Sequence, residues 1–301
     1  MRFGVHLPQL GRRVTRDALL SFAQRCEECG YDSLWVSDHV AWPSEIASVY
    51  PYREDGAFPG HGLAWLDALG TLSFVAACTE RVRLGCSVLI LGYRPPVQTA
   101  KQLATLDVLC GGRLLVGVGV GWMREEFEVL GMPFDHRGSR ADEQLEVFAT
   151  LFGDPSPSYQ GEFYSFPAVG FEPKPIQQPL PILVGGSSEG AYRRAGRYGQ
   201  GFHAAFEPVD KVRAAWERVR WWAAESGRDP DQLSLSLRWY LDPEGRMDPD
   251  ISLAGSPGEM TETLESLGAA GVSDVVLDPV AAGGPAARLV AVERFWDEVA
   301  T

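Results

Sequence analysis

Short apolar runs alternate with longer segments of helical period along the whole chain. The runs are brief and nearly continuous, which is typical of parallel strands buried on both faces. The pattern predicts strands at residues 2–7, 33–36, 82–91, 113–121, 181–184, 201–205, 233–241 and 272–277. It predicts helices at residues 15–29, 65–78, 95–109, 139–152, 189–198, 209–225, 257–269 and 286–299.

Eight predicted strands, each followed by a predicted helix, form the sequence pattern of a (β/α)8 barrel. End signals support individual helices: Thr15 suits an N-cap, and Gly30 ends the same helix. Residues 40–64 and 154–180 have no clear period, so we predict two insertion loops there, the second able to hold a small hairpin. No Ser-, Pro- or Gly-rich linker divides the chain, which favours one α/β TIM-barrel domain over residues 1–301.

Composition narrows the kinds of partner that the protein can bind. A net charge of −13 argues against nucleic acid and anionic membranes, which require a basic face, and favours a small-molecule partner. The N-terminus turns polar after a few residues, unlike a signal peptide, and no apolar run approaches the roughly 18 residues of a membrane span. Five scattered cysteines fit a reduced, cytoplasmic protein. Cys26 and Cys29 form a C-x-x-C pair inside a helical pattern, where packing is the favoured interpretation.

The carboxyl ends of the predicted strands carry residues that can perform chemistry, and a (β/α)8 barrel binds its ligand at that end. The first strand ends near His6, and the second ends at Asp38 and His39. A carboxylate beside an imidazole suits acid–base catalysis. The alternative interpretation is an aspartate that caps a loop and a histidine that only packs.

Glycines follow two further strands. The fourth strand ends in the run from Gly117 to Trp122, whose G-x-G-x-G spacing lies mid-chain and differs from the G-x-G-x-x-G dinucleotide fingerprint. Alternating glycines there would clear one face for a flat ring, and tight barrel packing is the alternative. The fifth strand runs through Gly185, Gly186 and Ser187 into a helix, which favours an anion site over an ordinary capped turn.

The first insertion loop is rich in aromatic residues, among them Trp42, Tyr50 and Phe58. Long irregular loops usually form lids or binding walls, so these side chains predict contacts with an apolar or ring-bearing substrate. Buried loop packing would give a similar pattern. No His-x-His, H-E-x-x-H or G-x-S-x-G spacing occurs, so we predict neither a metal site nor acyl transfer.

With these positions assembled, the chain resembles the luciferase-like monooxygenase superfamily, in particular its coenzyme F420 (deazaflavin)-dependent oxidoreductase branch. The resemblance covers nearly the full length. It rests on FGVHLPQ at 3–9, GYDSLWVSDH at 30–39, RVRLGCSVLIL at 81–91, KQLATLDVLCGGRLLVGVGVGW at 101–122, EPKP at 172–175 and PILVGGS at 181–187.

The resemblance implies how a flavin-like ring would be bound and used. The expected cofactor contacts are Ser87, Val88, Gly119, Gly121, Trp122, Gly185, Gly186 and Ser187, the last three around a phosphate. The expected substrate contacts are His6, Trp42 and Tyr50, and the expected catalytic residues are Asp38 and His39. A non-proline cis peptide between Ser87 and Val88 is also implied.

The function implied by the resemblance is hydride transfer between C5 of F420 and a small organic substrate. His39 would be the general acid/base, and Asp38 would orient it or bond to the ring. Sugar-phosphate dehydrogenases of this branch carry a catalytic glutamate where this chain has Trp122, so a more apolar acceptor or alcohol is expected. The alternatives are an FMN-dependent two-component monooxygenase with a separate reductase, and a non-catalytic flavin-binding protein. The resemblance also implies a homodimer.

Overall fold

Parallel strands form a closed barrel in the computed structural model, which describes residues 1–11, 13–53 and 55–300. The strands are β1 (Arg2–His6), β2 (Ser33–Val36), β3 (Arg83–Ile90), β4 (Leu114–Gly119), β5 (Tyr159–Gln160), β6 (Ser165–Phe166), β7 (Ile182–Gly185), β8 (Gly201–Ala205), β9 (Ser234–Leu241), β10 (Ser252–Leu253) and β11 (Asp274–Pro279). The helices are α1 (Arg16–Cys29), α2 (Ala68–Cys78), α3 (Pro96–Leu109), α4 (Arg124–Val129), α5 (Arg137–Gly153), α6 (Glu189–Tyr198), α7 (Val209–Glu225), α8 (Pro257–Ala269) and α9 (Pro285–Phe295).

The barrel closes through neighbouring parallel pairs in the order β9-β11-β1-β2-β3-β4-β7-β8, with β8 pairing back onto β9. Helices lie between successive strands, so the predicted (β/α)8 fold is confirmed for the part of the chain that the structure describes. The second insertion contains the predicted hairpin, formed by β5 and β6. None of the helices in the described ranges is long and apolar enough to cross a membrane.

Local signals explain where most helices begin and end. Thr15 caps α1 by accepting from the Ala18 N–H, and Gly30 ends that helix with a left-handed φ of 108°. Ser256 and Glu259 form a reciprocal capping box at α8. The bounds of α6, α7, α8 and β8 agree with the prediction.

Most of the other boundaries differ from the prediction by one or two residues, and two helices differ by more at one end. Helix α2 begins at Ala68 instead of Trp65, since the Asp67 carboxylate accepts from the Gly70 N–H and so caps the helix there. Strand β4 stops at Gly119 because Gly121 has a φ of 78°, which extended strands do not adopt. The last helix ends at Phe295 and continues as one wider π turn, Trp296–Ala300. Helix α4 was not predicted.

The centre of the barrel is filled at one end by a small apolar cluster and at the other by polar groups. Trp35, Leu115, Leu183 and Val276 form the apolar cluster, and the Trp35 ring stacks on His203 with centroids 5.0 Å apart. Glycine at position 85 makes room for Trp35, because a Cβ there would overlap the indole. This packing closes the floor beneath the carboxyl ends of the strands.

Gly117 is required by a close approach of the backbone of β3. The register between β3 and β4 shifts between Cys86 and Leu89, and a Cβ on Gly117 would overlap the Cys86 carbonyl oxygen. We expect Gly117→Ala to lower the free energy of unfolding by about 1–3 kcal/mol, since backbone cannot move aside as a side chain can. Urea unfolding measures this loss. Gly153→Ala, where the new Cβ meets nothing within 4 Å, is the matched control, and an equal loss in both variants would contradict the explanation.

Candidate active site

A cavity of about 670 Å³ opens at the carboxyl ends of the barrel strands. Most of the predicted site residues line it: Asp38, His39, Tyr50, Ser87, Val88, Gly119, Gly121, Trp122, Gly185, Gly186 and Ser187. His6 and Trp42 do not line it. The structure therefore brings together residues from β2, β3, β4, β7 and the first insertion loop around one space, of a size that suits a cofactor or a small ligand.

His39 is held by a buried glutamate that is not among the predicted site residues. Its Nδ1 lies 2.6 Å from Oε2 of Glu126, on α4, and the same carboxylate oxygen accepts from the Tyr93 hydroxyl at 2.7 Å. The other oxygen accepts from the Val40 and Ala41 N–H groups at 2.6 and 3.1 Å. This network fixes both the ring of His39 and the start of the loop that follows it.

The contact with Glu126 determines which ring nitrogen of His39 carries the hydrogen. Burial alone would raise the pKa of Glu126, but the hydrogen bond and charge of His39, with the Tyr93 hydroxyl, hold that pKa below its usual value. An ionised carboxylate can only accept hydrogen bonds, so Nδ1 of His39 carries the hydrogen. In the neutral ring Nε2 is then the nitrogen without a hydrogen, and it can accept a hydrogen bond.

Asp38 does not orient His39, and that expectation is corrected. The carboxylate of Asp38 forms a two-pronged ion pair with Arg94, at 2.7 and 2.8 Å, and also accepts from the Ile90 N–H at 3.0 Å. Asp38 and His39 both line the cavity, but their side chains bond to different partners. Asp38 joins the end of β2 to the end of β3 beneath the cavity wall.

The Ser87–Val88 peptide is cis, as predicted. Val88 lines the cavity and fills the space that two glycines leave: a Cβ on Gly119 would lie 2.6 Å from Val88, and one on Gly185 would lie 2.9 Å from it. The glycines therefore do not leave an open bed for a ring. They accommodate the bulge of β3, and the surface that a ring would contact is Val88 itself.

Two histidines lie in the floor below this bulge. His6 is almost fully buried, with its Nε2 2.8 Å from the Ser37 hydroxyl, so the predicted contact between His6 and a substrate is not made. His203 lies between the hydroxyls of Ser87 and Ser236, at 2.8 and 2.6 Å. Burial lowers the pKa of each histidine to about 3, with a smaller effect from the charge of Arg238.

These two neutral histidines make the protein sensitive to acid. Between pH 6.5 and 3 the two histidines are protonated in the unfolded chain and neutral in the native state. The free energy of unfolding therefore falls as the pH falls through this window. We expect a loss of about 2 kcal/mol per histidine between pH 6.5 and pH 5. Urea unfolding at both values measures it, and His203→Gln should weaken the dependence. An unchanged slope in that variant would contradict the assignment.

The turn after β7 has the geometry of an anion site. Gly186 has a φ of 124°, and the Ser188 hydroxyl caps α6 by accepting from the Ala191 N–H. The first backbone N–H groups of α6 therefore face the end of the cavity that Gly185, Gly186 and Ser187 line. Arg194 and Arg193, farther along the helix, pair with Asp142 instead of facing this turn.

Comparison with known proteins places the chain. The sequence model of the family described as luciferase-like monooxygenase matches residues 1–241. The chain belongs to this family. It is also 36% identical over 204 residues to an uncharacterized protein of Mycobacterium tuberculosis, an alignment that covers 67% of this chain and 70% of that protein.

One further relative of this luciferase-like chain and one solved structure of similar fold are both named as F420-dependent. The chain is 35% identical over 250 residues to an F420-dependent glucose-6-phosphate dehydrogenase of Microbacterium testaceum, covering 82% of this chain and 62% of that enzyme. The fold of this chain matches that of an F420-dependent secondary alcohol dehydrogenase solved with an F420–acetone adduct. The TM-score is 0.82 at 19% identity, and the match covers 99% of this chain and 98% of that chain. The second likeness concerns the fold alone.

Two site residues of this luciferase-like protein, Glu126 and Arg238, were not predicted from the sequence. Glu126 carried a usable signal, because the pair Glu125-Glu126 begins four residues after Gly121, the last of the fourth-strand glycines. Arg238 carried none: it pairs with Asp278, 40 residues away, at 2.5 Å and donates to the Ser37 hydroxyl at 2.8 Å. That pairing depends on β9 and β11 being neighbours, which no local pattern reveals.

Proposed function

We propose that the protein is an F420-dependent oxidoreductase that transfers a hydride between C5 of the deazaflavin and a small organic substrate. The observation that carries this proposal is the His39–Glu126 pair, which holds a proton-exchanging nitrogen at a cavity lined by Val88 and aromatic rings. The two sequence relatives named as F420-dependent glucose-6-phosphate dehydrogenases support F420 as the redox partner. We also propose that the chain forms one TIM-barrel domain with two inserted loops.

The residues around the cavity fit a phosphate-bearing, flat-ringed cofactor. The turn from Gly185 to Ser187 presents backbone N–H groups to a phosphate. Val88 offers an apolar surface for one face of a ring, and Trp122 stands at the next strand end. Arg94 neutralises Asp38, so this carboxylate of the cavity wall adds no unpaired negative charge.

When bound, F420 would supply a ring carbon that takes up or gives a hydride and activates oxygen poorly. The protein supplies the proton: Nε2 of His39 would exchange it with a substrate oxygen, while Glu126 stabilises the charged imidazole. The surrounding indole and phenyl rings exclude water. Trp42, Phe58 and Trp65 each lie with ring centroids 4.9–5.3 Å from the His39 ring.

The substrate proposed for this site has an apolar part. Tyr50, Phe58 and Trp122 line the cavity and contact one another with edge-on or tilted rings, their centroids 5.2–5.4 Å apart. Trp42 packs behind His39 and shapes this wall without lining the cavity. Flat rings arranged in this way favour an aliphatic or aromatic group over a sugar, whose hydroxyls would find few partners there.

Titration of the apo-protein with F420 and, separately, with FMN tests the proposed cofactor. We expect F420 to bind and its fluorescence to change on binding, followed by reduction in the presence of a panel of alcohols. Preference for FMN would overturn the F420 assignment and indicate a flavin monooxygenase that needs a reductase. If F420 binds but no donor or acceptor is turned over, the protein is a carrier and the enzymatic proposal fails.

A further inference from the structure

The cavity continues from His39 to the ends of β9 and β11, where its charge changes. Among the residues described, Arg238, Arg246 and Arg288 line this end, together with Asp278. The chain as a whole carries a net charge of −13, so a cluster of arginines in its main cavity runs against the overall balance. Such clusters commonly bind oxyanions.

Two of these arginines already have partners. Arg238 directs its Nε and one terminal nitrogen at Asp278, and the other terminal nitrogen at the Ser37 hydroxyl and the Ser87 carbonyl. Arg246 pairs with Glu244 at the exposed rim. Both therefore contribute to the shape and field of the cavity more than to new hydrogen bonds.

Arg288 differs from them. It lies in the first turn of α9, half-buried, and lines the cavity. Within the described ranges, its guanidinium makes neither a hydrogen bond nor an ion pair with another side chain. A half-buried guanidinium that faces a cavity with its donors unused can form a two-pronged pair with a ligand oxyanion.

We propose that Arg288 binds a carboxylate of the substrate, so that the substrate is a small organic acid with its apolar part against the aromatic loop. This inference rests on the proposed function. The charges decide between kinds of anion: Arg238, Arg246 and Arg288 face Asp278 and Glu244, which leaves one positive charge. A monoanionic carboxylate matches that balance better than a phosphate dianion.

The phosphate of the cofactor is not expected to compete for this arginine. Its phosphate site is the turn after β7, and Arg288 follows β11, so β8 and β9 lie between the two sites in the barrel. Arg94, which lies beside the cavity, is already paired with Asp38. A carboxylate at Arg288 and a phosphate at the β7 turn can therefore be bound together.

Binding of acids and their amides to the F420-loaded protein tests the proposal. The probes are benzoate, phenylacetate and 3-phenylpropanoate, each compared with its amide by calorimetry and tryptophan fluorescence. We expect at least one acid to bind about 10- to 100-fold more tightly than its amide. Arg288→Gln should abolish that difference, Arg288→Lys should restore part of it, and Arg213→Gln, an exposed arginine on α7, should preserve it.

Several outcomes would overturn the inference: acids and amides binding equally, no binding of any acid in the millimolar range, or a preference that survives Arg288→Gln. Tighter binding of glucose 6-phosphate than of every acid would assign the site to a phosphate ester instead. The F420 affinity, measured first for each variant, separates the two proposals. Failure of the wild type to bind F420 sinks the proposed function, whereas normal F420 binding without acid preference sinks only this inference.

Discussion

His39→Gln is expected to lower kcat by about 10²- to 10⁴-fold while the affinity for F420 stays nearly unchanged. Glutamine keeps a polar side chain of similar size, and Glu126 still accepts from the Val40 and Ala41 N–H groups, so the start of the aromatic loop is preserved. What is lost is a group able to take up and release a proton at neutral pH. Turnover with the best alcohol or carbonyl substrate, alongside F420 titration of the same preparation, measures the two effects separately.

The matched control is His61→Gln, an exposed histidine on the same insertion loop whose ring contacts the Pro43 carbonyl. Its turnover should equal that of the wild type. Glu126→Gln provides a second comparison, since a neutral amide at that position no longer stabilises a charged imidazole, and we expect an intermediate loss. Full activity in His39→Gln would rule out His39 as the proton carrier.

The sequence predicted where the strand ends meet, because the relevant signals are local. Buried strands show as short apolar runs, and capping residues such as Ser188 and Ser256 mark helix starts a few residues away. Once the (β/α)8 pattern is recognised, all strand ends lie at one end of the barrel. The position of His39 at the cavity therefore followed from local information together with one rule of topology.

The partners of those residues could not be predicted in the same way. Asp38 is the neighbour of His39 in sequence, yet Glu126, 87 residues away, is its neighbour in space. Which carboxylate meets the imidazole depends on the direction of each side chain and on the position of α4. Such contacts are set by packing between distant segments, and a single sequence does not encode them in any local pattern.

The same limit applies to the glycines of β4. Their alternation correctly indicated that one face must be free of side chains, and it left open whether a ligand or the protein fills that space. In the structure the protein fills it, through the Cys86 carbonyl and Val88. The choice depends on the bulge in β3, which only the family resemblance implied.

Arg94→Met should lower the free energy of unfolding by about 3–5 kcal/mol, because it leaves a buried carboxylate without its cation. The side chain of Asp38 is fully buried and that of Arg94 is only 13% exposed. Burial lowers the pKa of Arg94, but the hydrogen bond and charge of Asp38 outweigh it and hold that pKa above its usual value. Arg94 is therefore fully charged at neutral pH. Urea unfolding of Arg94→Met measures how much the free energy of unfolding falls when this charge is removed.

Comparison with an exposed pair shows whether burial is the reason. Arg294→Met breaks the surface pair with Glu298, where we expect a change of at most about 0.5 kcal/mol. Adding Asp38→Asn to Arg94→Met removes the orphaned charge and should recover part of the stability; a double variant no more stable than Arg94→Met alone would contradict this. Because Asp38 also accepts from the Ile90 N–H, the pair fixes the end of β2 against β3, immediately before His39. Loss of Arg94 should therefore lower turnover even at temperatures where the variant remains folded.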